Sequence, residues 1–112
     1  MKQINWNDFQ SVELRIGTII DVQDFPEAKI PAYKITADFG GEIGVKKSSA
    51  QITRLYKKED LLNKQVIAVT NFPSKQIANF VSECLVLGVV LENKEVVLLE
   101  PERKVSNGYR IA

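Results

Sequence analysis

Short runs of β-branched and apolar residues recur along most of the chain, and glycine, proline or asparagine separates them. In the run 33–39, Ile35, Ala37 and Phe39 alternate with polar residues, and the run 15–22 is β-branched and broadly alternating. Side chains of a strand point to opposite faces in turn, so this period of two places the apolar residues on one face. The pattern predicts an all-β fold of five or six short strands.

Turn residues set the expected limits of these strands. Gly40-Gly41 predicts a tight hairpin turn, and Gly17 predicts a bend or bulge inside the first strand. Residues 72–82, which include Pro73, are expected to form a loop. The predicted strands are Arg15–Val22, Tyr33–Phe39, Glu42–Lys47, Lys64–Asn71, Cys84–Leu91 and Glu95–Leu99.

Two short segments show helical spacing instead. The first covers residues 5–12, begins with Asn5 as a candidate N-cap and aligns Trp6 with Phe9 on one face. The second is expected after the third strand, where one apolar face carries Ile52, Leu55 and Tyr56.

A helix between the third and fourth strands is typical of the OB-fold, a five-stranded Greek-key barrel. An SH3-like barrel or a small sandwich would share the strand count, and the position of the helix favours the OB-fold. The length of 112 residues fits a single domain. We expect an N-terminal helix at 5–12, the barrel at 13–100 and a C-terminal segment at 101–112.

The composition lacks the residues that most enzymes and metal sites use. The chain has no histidine and a single cysteine, and its carboxylates and glycines form no acid–base pair, metal-ligand spacing or phosphate loop. Cys84 lies in the apolar run CLVLGVV and is expected to be a buried thiol. We therefore expect a protein without catalytic residues, bound metal or cofactor.

The polar start MKQINWNDFQ does not resemble a signal peptide, and no apolar run approaches the ~18–20 residues that span a bilayer. One cysteine cannot form an internal disulfide bond. These features predict a cytoplasmic protein that does not insert into membranes.

Positive charge is concentrated in the middle of a chain whose formal net charge is only +1. Residues 46–64 carry six basic and two acidic side chains. This segment is either a surface that faces phosphate groups or a solvated helix and turn, and composition favours the second interpretation.

The chain resembles the CsaA family of bacterial and archaeal export-related chaperones. Three runs carry the resemblance in the family's order, and SSAQIT at 48–53 is the most specific piece. The family is built on the tRNA-binding OB domain that also ends many methionyl-tRNA synthetases. The runs are FPEAKIPAYKITADFGGEIGVKKSSAQIT (25–53), NKQVIAVTNFPSKQIANFVSECLVLG (63–88) and VVLLEPERKVSNGYRI (96–111).

The resemblance implies a homodimer, with the N-terminal helix and the C-terminal segment at its interface, and no catalysis. It also implies affinity for tRNA or for unfolded and pre-secretory polypeptides, and work with the export machinery. Relatives often have glycine where Asn79 stands, and asparagine also tolerates a left-handed backbone. They often have basic residues near Gln76 and Val81, so this chain is expected to bind tRNA less tightly.

Four lysines are candidate ligands for phosphate or polypeptide. OB-folds bind extended ligands across the second and third strands and between the loops that join strands one and two and strands four and five. With Val45 pointing inward, Lys34 and Lys46 are expected to share the exposed face. Lys47 follows in the same strand, and Lys75 lies in the loop after the fourth strand. Plain solubility is the alternative role for these lysines.

The loop after the fourth strand holds four further candidates. Asn71 and Ser82 bracket this loop and are able to donate hydrogen bonds to phosphate, sugar or a peptide backbone, or to close the loop on itself. Phe72 and Phe80 are expected to expose rings that grip a peptide or a base.

Trp6 and Phe9 are large side chains on a helix too short to be stable alone. They pack either on their own barrel or across a twofold interface, and we favour the interface. Two functions stay open: a chaperone that binds unfolded or pre-secretory polypeptides, and a module that grips the backbone of tRNA.

Overall fold

Short strands make up most of the molecule, as the alternating runs predict. The structure, a computed structural model, describes residues 1–112. Its helices are α1 (Trp6–Gln10) and α2 (Lys58–Leu61). Its strands are β1 (Leu14–Asp24), β2 (Tyr33–Asp38), β3 (Val45–Ala50), β4 (Gln65–Val69), β5 (Lys75–Ile77), β6 (Phe80–Ser82), β7 (Leu85–Val86), β8 (Gly88–Val90) and β9 (Val96–Leu98).

The long strand β1 organises the sheet because its two halves pair with different neighbours. Residues 14–18 pair with β4, and residues 18–24 pair with β2. With β3 and β7 added at the edges, the antiparallel sheet has five strands in the order β3-β2-β1-β4-β7. This arrangement confirms the predicted OB-fold.

The barrel is nearly closed where β3 meets the chain just before β7. The Glu83 N–H donates to the Lys47 carbonyl at 2.7 Å, and the Lys47 N–H donates to Oε1 of Glu83 at 3.0 Å. The Ser49 N–H donates to Oγ of Ser82 at 3.3 Å. Side-chain oxygens therefore supply part of the seam that joins the two edges.

Helix α1 is shorter than predicted and is capped as predicted. The Asn5 side chain accepts from the Asp8 N–H at 2.8 Å, and the Asp8 carboxylate accepts from the Asn5 N–H at 3.0 Å. This reciprocal pair satisfies two backbone donors at the helix start.

The helix after the third strand begins later than the sequence predicts. Residues 51–57 contain only a turn at 53–55, and α2 is a single helical turn that begins at Lys58. The Lys57 N–H donates to the Asp60 carboxylate at 2.9 Å, which fixes the start of this turn. Ile52 and Tyr56 pack on the core as predicted, but Leu55 is exposed, so the predicted apolar face was right for two of its three members and the helical bounds were wrong.

Two further strand predictions need correction. Residues 72–82 are not a simple loop, because β5 and β6 pair there as a small hairpin. The run 84–91 is not one strand. Its first part, β7, pairs with β4, and its second part, β8, pairs with β9 in a separate two-stranded sheet.

Strand β3 begins three residues later than predicted and presents the opposite faces. Residues 39–44 connect β2 to β3, and the Phe39 N–H donates to the Gly44 carbonyl at 3.0 Å across this loop, so Gly40-Gly41 is not the tight turn predicted. Ser48 is consequently buried opposite Ile35, whereas Val45 is exposed. The alternation expected for β2 is confirmed, since Ile35 and its apolar neighbours on that face are buried.

Gly17 allows a close approach and does not form the predicted bulge. A Cβ on Gly17 would lie 2.6 Å from the buried ring of Phe39, so this ring occupies the space of a side chain. The pairing of β1 with β2 shifts instead between Ile19 and Asp21.

The C-terminal segment pairs with the edge of β1 that β2 leaves free. The Gly108 N–H donates to the Ile16 carbonyl at 2.8 Å, and the Ile16 N–H donates to the Tyr109 carbonyl at 3.1 Å. The Ile111 N–H donates to the Leu14 carbonyl at 2.9 Å. Gly108 has a left-handed φ of 94° and forms a turn with Asn107.

Cys84 is buried, as predicted. Its thiol lies 3.7 Å from the Lys47 carbonyl. Desolvation, with a smaller contribution from Glu83, raises the pKa of Cys84 to about 11, so the thiolate that reacts with electrophiles is disfavoured. No helix in the protein combines the length and the apolar character that a membrane span requires.

Candidate ligand-binding surface

A groove of about 330 Å³ separates the β1–β2 loop from the β5–β6 hairpin, and β3 borders it. Five of its nine lining residues are hydrophobic. Its two charged residues, Glu27 and Lys29, have opposite signs. The lining residues are Glu27, Ala28, Lys29, Ile30, Ala32, Ser49, Gln51, Ile77 and Ala78.

A buried aromatic cluster joins the two walls of this groove. Phe25 from the β1–β2 loop and Phe80 from β6 pack edge to face, with their ring centroids 5.4 Å apart, and Ala32 completes the cluster. Phe80 is therefore not an exposed ring of a loop, and this prediction was wrong. Its burial fixes the hairpin relative to the β1–β2 loop.

The Lys34 ammonium group caps the aromatic cluster. Its Nζ lies 5.0 Å from the centroid of Phe25 and 5.8 Å from that of Phe80. A cation over an aromatic face contributes about 0.5–1 kcal/mol at an accessible site. Lys34 thus connects the strand to both loops, and its role as a phosphate or peptide ligand remains a prediction.

A side-chain contact also bridges the loops at the rim of the groove. Nδ2 of Asn79 donates to Oε2 of Glu27 at 3.3 Å. A backbone hydrogen bond, the Asn79 contact and nearby Lys34 lower the pKa of Glu27, so its carboxylate stays charged. The left-handed residue of this turn is Ala78, with φ 52°, and not Asn79 as the family resemblance suggested.

Lys46 and Lys47 lie on the opposite faces of β3 from those predicted. Lys46 is half-buried and pairs with Ala37 on the inner face, so it does not share the exposed face with Lys34. Lys47 is exposed on the outer face, next to Thr36 in the register. Lys75 is exposed on β5, and neither Lys47 nor Lys75 forms a salt bridge.

Asn71 and Ser82 both bind protein backbone. The Asn71 side chain accepts from the Glu13 N–H at 3.0 Å and donates to the Ser11 carbonyl at 2.8 Å, which ties the end of β4 to the chain after α1. The Ser82 hydroxyl accepts from Ser49 at the seam. These contacts favour the loop-closing alternative, while Phe72 is exposed as predicted.

Helix α1 presents an aromatic surface to solvent. Trp6 is 63% exposed, Phe9 is half-buried, and their ring centroids lie 5.9 Å apart. Trp6 is therefore not packed into its own barrel. The twofold interface predicted for these two residues stays a prediction.

The β8–β9 hairpin carries a second exposed apolar surface. Val89 and Val97 pair directly across its two strands, and both are exposed. Leu91 and Leu99 lie two residues further along on the same face and are also exposed. Contiguous apolar surface of this kind marks interaction sites in soluble proteins. We call these four residues the β8–β9 face.

Reading of the sequence missed the apolar walls of the groove. Ile30 lies between two prolines in a polar loop, and Ile77 lies in the segment read as a loop without strands. A large apolar residue in a polar loop was the one sign of a groove wall in the sequence. It indicates a groove only once β5 is known to pair with β6, because this pairing brings Ile77 towards the β1–β2 loop.

Solved structures of two chaperones match the whole chain. Chaperone CsaA from Bacillus anthracis str. Ames is 49% identical with a TM-score of 0.93, over 99% of this chain and 100% of that protein. The CsaA chaperone protein from Picrophilus torridus is 53% identical with a TM-score of 0.92, over 98% and 100% of the two chains.

Sequence comparisons identify the wider group. The family profile named "Putative tRNA binding domain" matches residues 14–110. Methionine–tRNA ligase from Thermococcus onnurineus is 33% identical over 111 residues, which are 99% of this chain and 15% of the ligase. The chain thus spans about 15% of the length of this curated relative. Together, these matches show that the chain belongs to the tRNA-binding domain family and, within it, to the CsaA family.

Proposed function

We propose that this protein is a non-catalytic, homodimeric chaperone that binds unfolded or pre-secretory polypeptides. The apolar groove between the β1–β2 loop and the β5–β6 hairpin carries this proposal. Because its charges balance and most of its wall is hydrophobic, it suits a neutral, partly apolar chain better than a polyanion. The similarity to the two CsaA proteins, which are named chaperones, supports the same function.

The homodimer completes the proposal. Trp6 and the β8–β9 face expose apolar side chains that a lone protomer leaves in water. Burial of apolar surface stabilises an interface by roughly 25 cal/mol per Å² before the costs of association. A second copy is the partner that would cover these side chains in the proposed assembly. Newly made precursors and their export machinery meet in the cytoplasm, where the proposal places the protein.

Replacing Ile30 with serine is expected to weaken binding of an unfolded polypeptide about tenfold, because it removes an apolar side chain from the groove wall. Ile30 is 57% exposed, so the fold does not depend on it. The measurement is fluorescence anisotropy with a labelled, reduced and carboxymethylated protein as the client.

The matched control is Ile20→Ser. Ile20 is 46% exposed on β1 and lines no part of the groove, so its replacement is expected to leave client binding unchanged. Equal affinities of the two variants for the client would refute the placement of the polypeptide in the groove.

Binding of tRNA is the second candidate function, and the exposed Lys47 and Lys75 favour it specifically. Neither ammonium group has an acidic partner within the protein, so both are free to contact phosphates. The family profile, whose name states tRNA binding, supports this candidate as well.

The double variant Lys47→Ala/Lys75→Ala is expected to weaken binding of bulk tRNA about tenfold and to lower the salt slope by about two. Titration of tRNA at several salt concentrations measures both quantities. The control is Lys2→Ala/Lys104→Ala, which removes equal charge far from β3 in the sequence. The same loss in both double variants would show that net charge, and not this surface, attracts tRNA.

A further inference from the structure

Gln51, the exposed residue that follows strand β3, has backbone groups at the groove that form no hydrogen bond. The β2–β3 ladder ends at Ala50, and neither the N–H nor the carbonyl of Gln51 has a hydrogen-bond partner within the protein. Earlier in the same strand, the outward-pointing N–H groups of Lys47 and Ser49 are already satisfied by Glu83 and Ser82. The strand therefore continues past its covered part with one free donor and one free acceptor.

This free backbone lies where two grooves adjoin. The groove of about 330 Å³ and a second one of about 420 Å³ are both lined by Ile30 and Gln51. Apolar side chains of Ile52, Leu55 and Val96 contribute to the second groove. A chain that passes Gln51 would thus meet apolar wall on both sides.

We propose that Gln51 pairs with the backbone of a bound polypeptide, which adds to the edge of β3 as a short extended strand. This inference rests on the proposed chaperone function and specifies its substrate class. Successive side chains of an added strand point in opposite directions. The preferred clients are therefore extended segments with apolar residues at alternate positions, and not amphipathic helices, whose backbone groups are bonded internally.

The hydrogen-bonding groups favour polypeptide over RNA at this edge. A peptide unit offers one donor and one acceptor, which match the free carbonyl and N–H of Gln51. A phosphodiester group offers acceptors alone and would bring negative charge towards Glu27 at the rim. The lining of the first groove includes one positively and one negatively charged side chain, so it provides no net attraction for phosphate.

The test replaces Gln51 with proline, which removes the N–H without breaking any bond of the free protein. Because Ala50 is in a strand, its backbone is compatible with a following proline. The probe is a short labelled peptide in which valine alternates with serine. We expect Gln51→Pro to bind it about five- to tenfold more weakly, and Gln51→Ala, which shortens the side chain in the groove and keeps the N–H, to lose clearly less affinity than Gln51→Pro.

Peptides that are N-methylated at alternate positions give an independent measurement on the wild-type protein, should proline disturb the fold. Successive N–H groups of an extended peptide point to opposite sides. Methylation of the residues whose N–H groups point towards Gln51 is expected to abolish most binding, whereas methylation of the alternate residues has little effect.

Equal binding of both methylated peptides and of both Gln51 variants would overturn the edge pairing and leave the chaperone function standing. A wild-type protein that binds neither this peptide nor an unfolded client would overturn the function itself. If Gln51→Pro weakens the binding of an RNA oligonucleotide as strongly as it weakens the binding of the peptide, the inference is also refuted.

Discussion

The variant Gly108→Ala is expected to unfold with a free energy about 2–4 kcal/mol lower than that of the wild type. Gly108 has φ 94°, a backbone conformation that residues with a Cβ rarely adopt. A Cβ at this position would also lie 2.7 Å from the backbone oxygen of Phe39. A backbone oxygen cannot rotate away as a flexible side chain does, so the turn itself must shift.

That shift would act on the pairing of the C-terminal segment with β1. The bonds from Gly108 and Tyr109 to Ile16 depend on the position of this turn, and so does the Arg15 guanidinium, which donates to the Gly108 carbonyl at 3.0 Å. Urea unfolding followed by circular dichroism measures the loss. Gly41→Ala is the control, since a Cβ there meets no atom within 4 Å, and its stability should stay within about 1 kcal/mol of the wild type. Equal stability of the two alanine variants would contradict this account.

The second large effect is expected for Trp6→Ala. If Trp6 is an anchor of the twofold interface, its truncation weakens dimerisation by about 2–4 kcal/mol, which is roughly 30- to 900-fold in the dissociation constant. The fold of the protomer should be kept, because the indole is mostly exposed and Asn5 and Asp8 still cap the helix.

Analytical ultracentrifugation over a range of concentrations measures this change. Leu62→Ala is a suitable control, because Leu62 is an exposed apolar residue next to α2, on neither of the surfaces assigned to the interface. A Trp6→Ala protein that sediments as the wild-type dimer at every concentration would exclude Trp6 as an anchor.

The sequence predicts best the strands whose pairing and burial follow one simple pattern. In β2, every second residue is apolar and buried, and the expected inner face of Ile35, Ala37 and Phe39 is correct. In β3 the inner face is polar, because Ser48 is buried to 1% exposure while Val45 is exposed. Hydrophobicity therefore indicated the wrong phase, and Lys46 was assigned to the wrong side.

The candidate site was harder to predict because its contacts join distant parts of the chain. Phe80 follows a three-residue strand that has no clear alternation, and its burial depends on Phe25, which comes from another loop. The placement of Lys34 over both rings follows from that packing. Local periodicity carries no information about such contacts, whereas the exposed lysines Lys47 and Lys75 were found from charge alone.

The pairing of the C-terminal segment with β1 has a consequence for how the protein is made. Arg15 and Gly108, which are joined by a hydrogen bond, are 93 residues apart in the chain. Contacts of such high sequence separation form late, because the entropy of closing a long loop must be overcome first. During translation, one edge of the first half of β1 therefore has no pairing partner until residues 108–111 leave the ribosome. Until then, this edge is able to pair with other nascent chains.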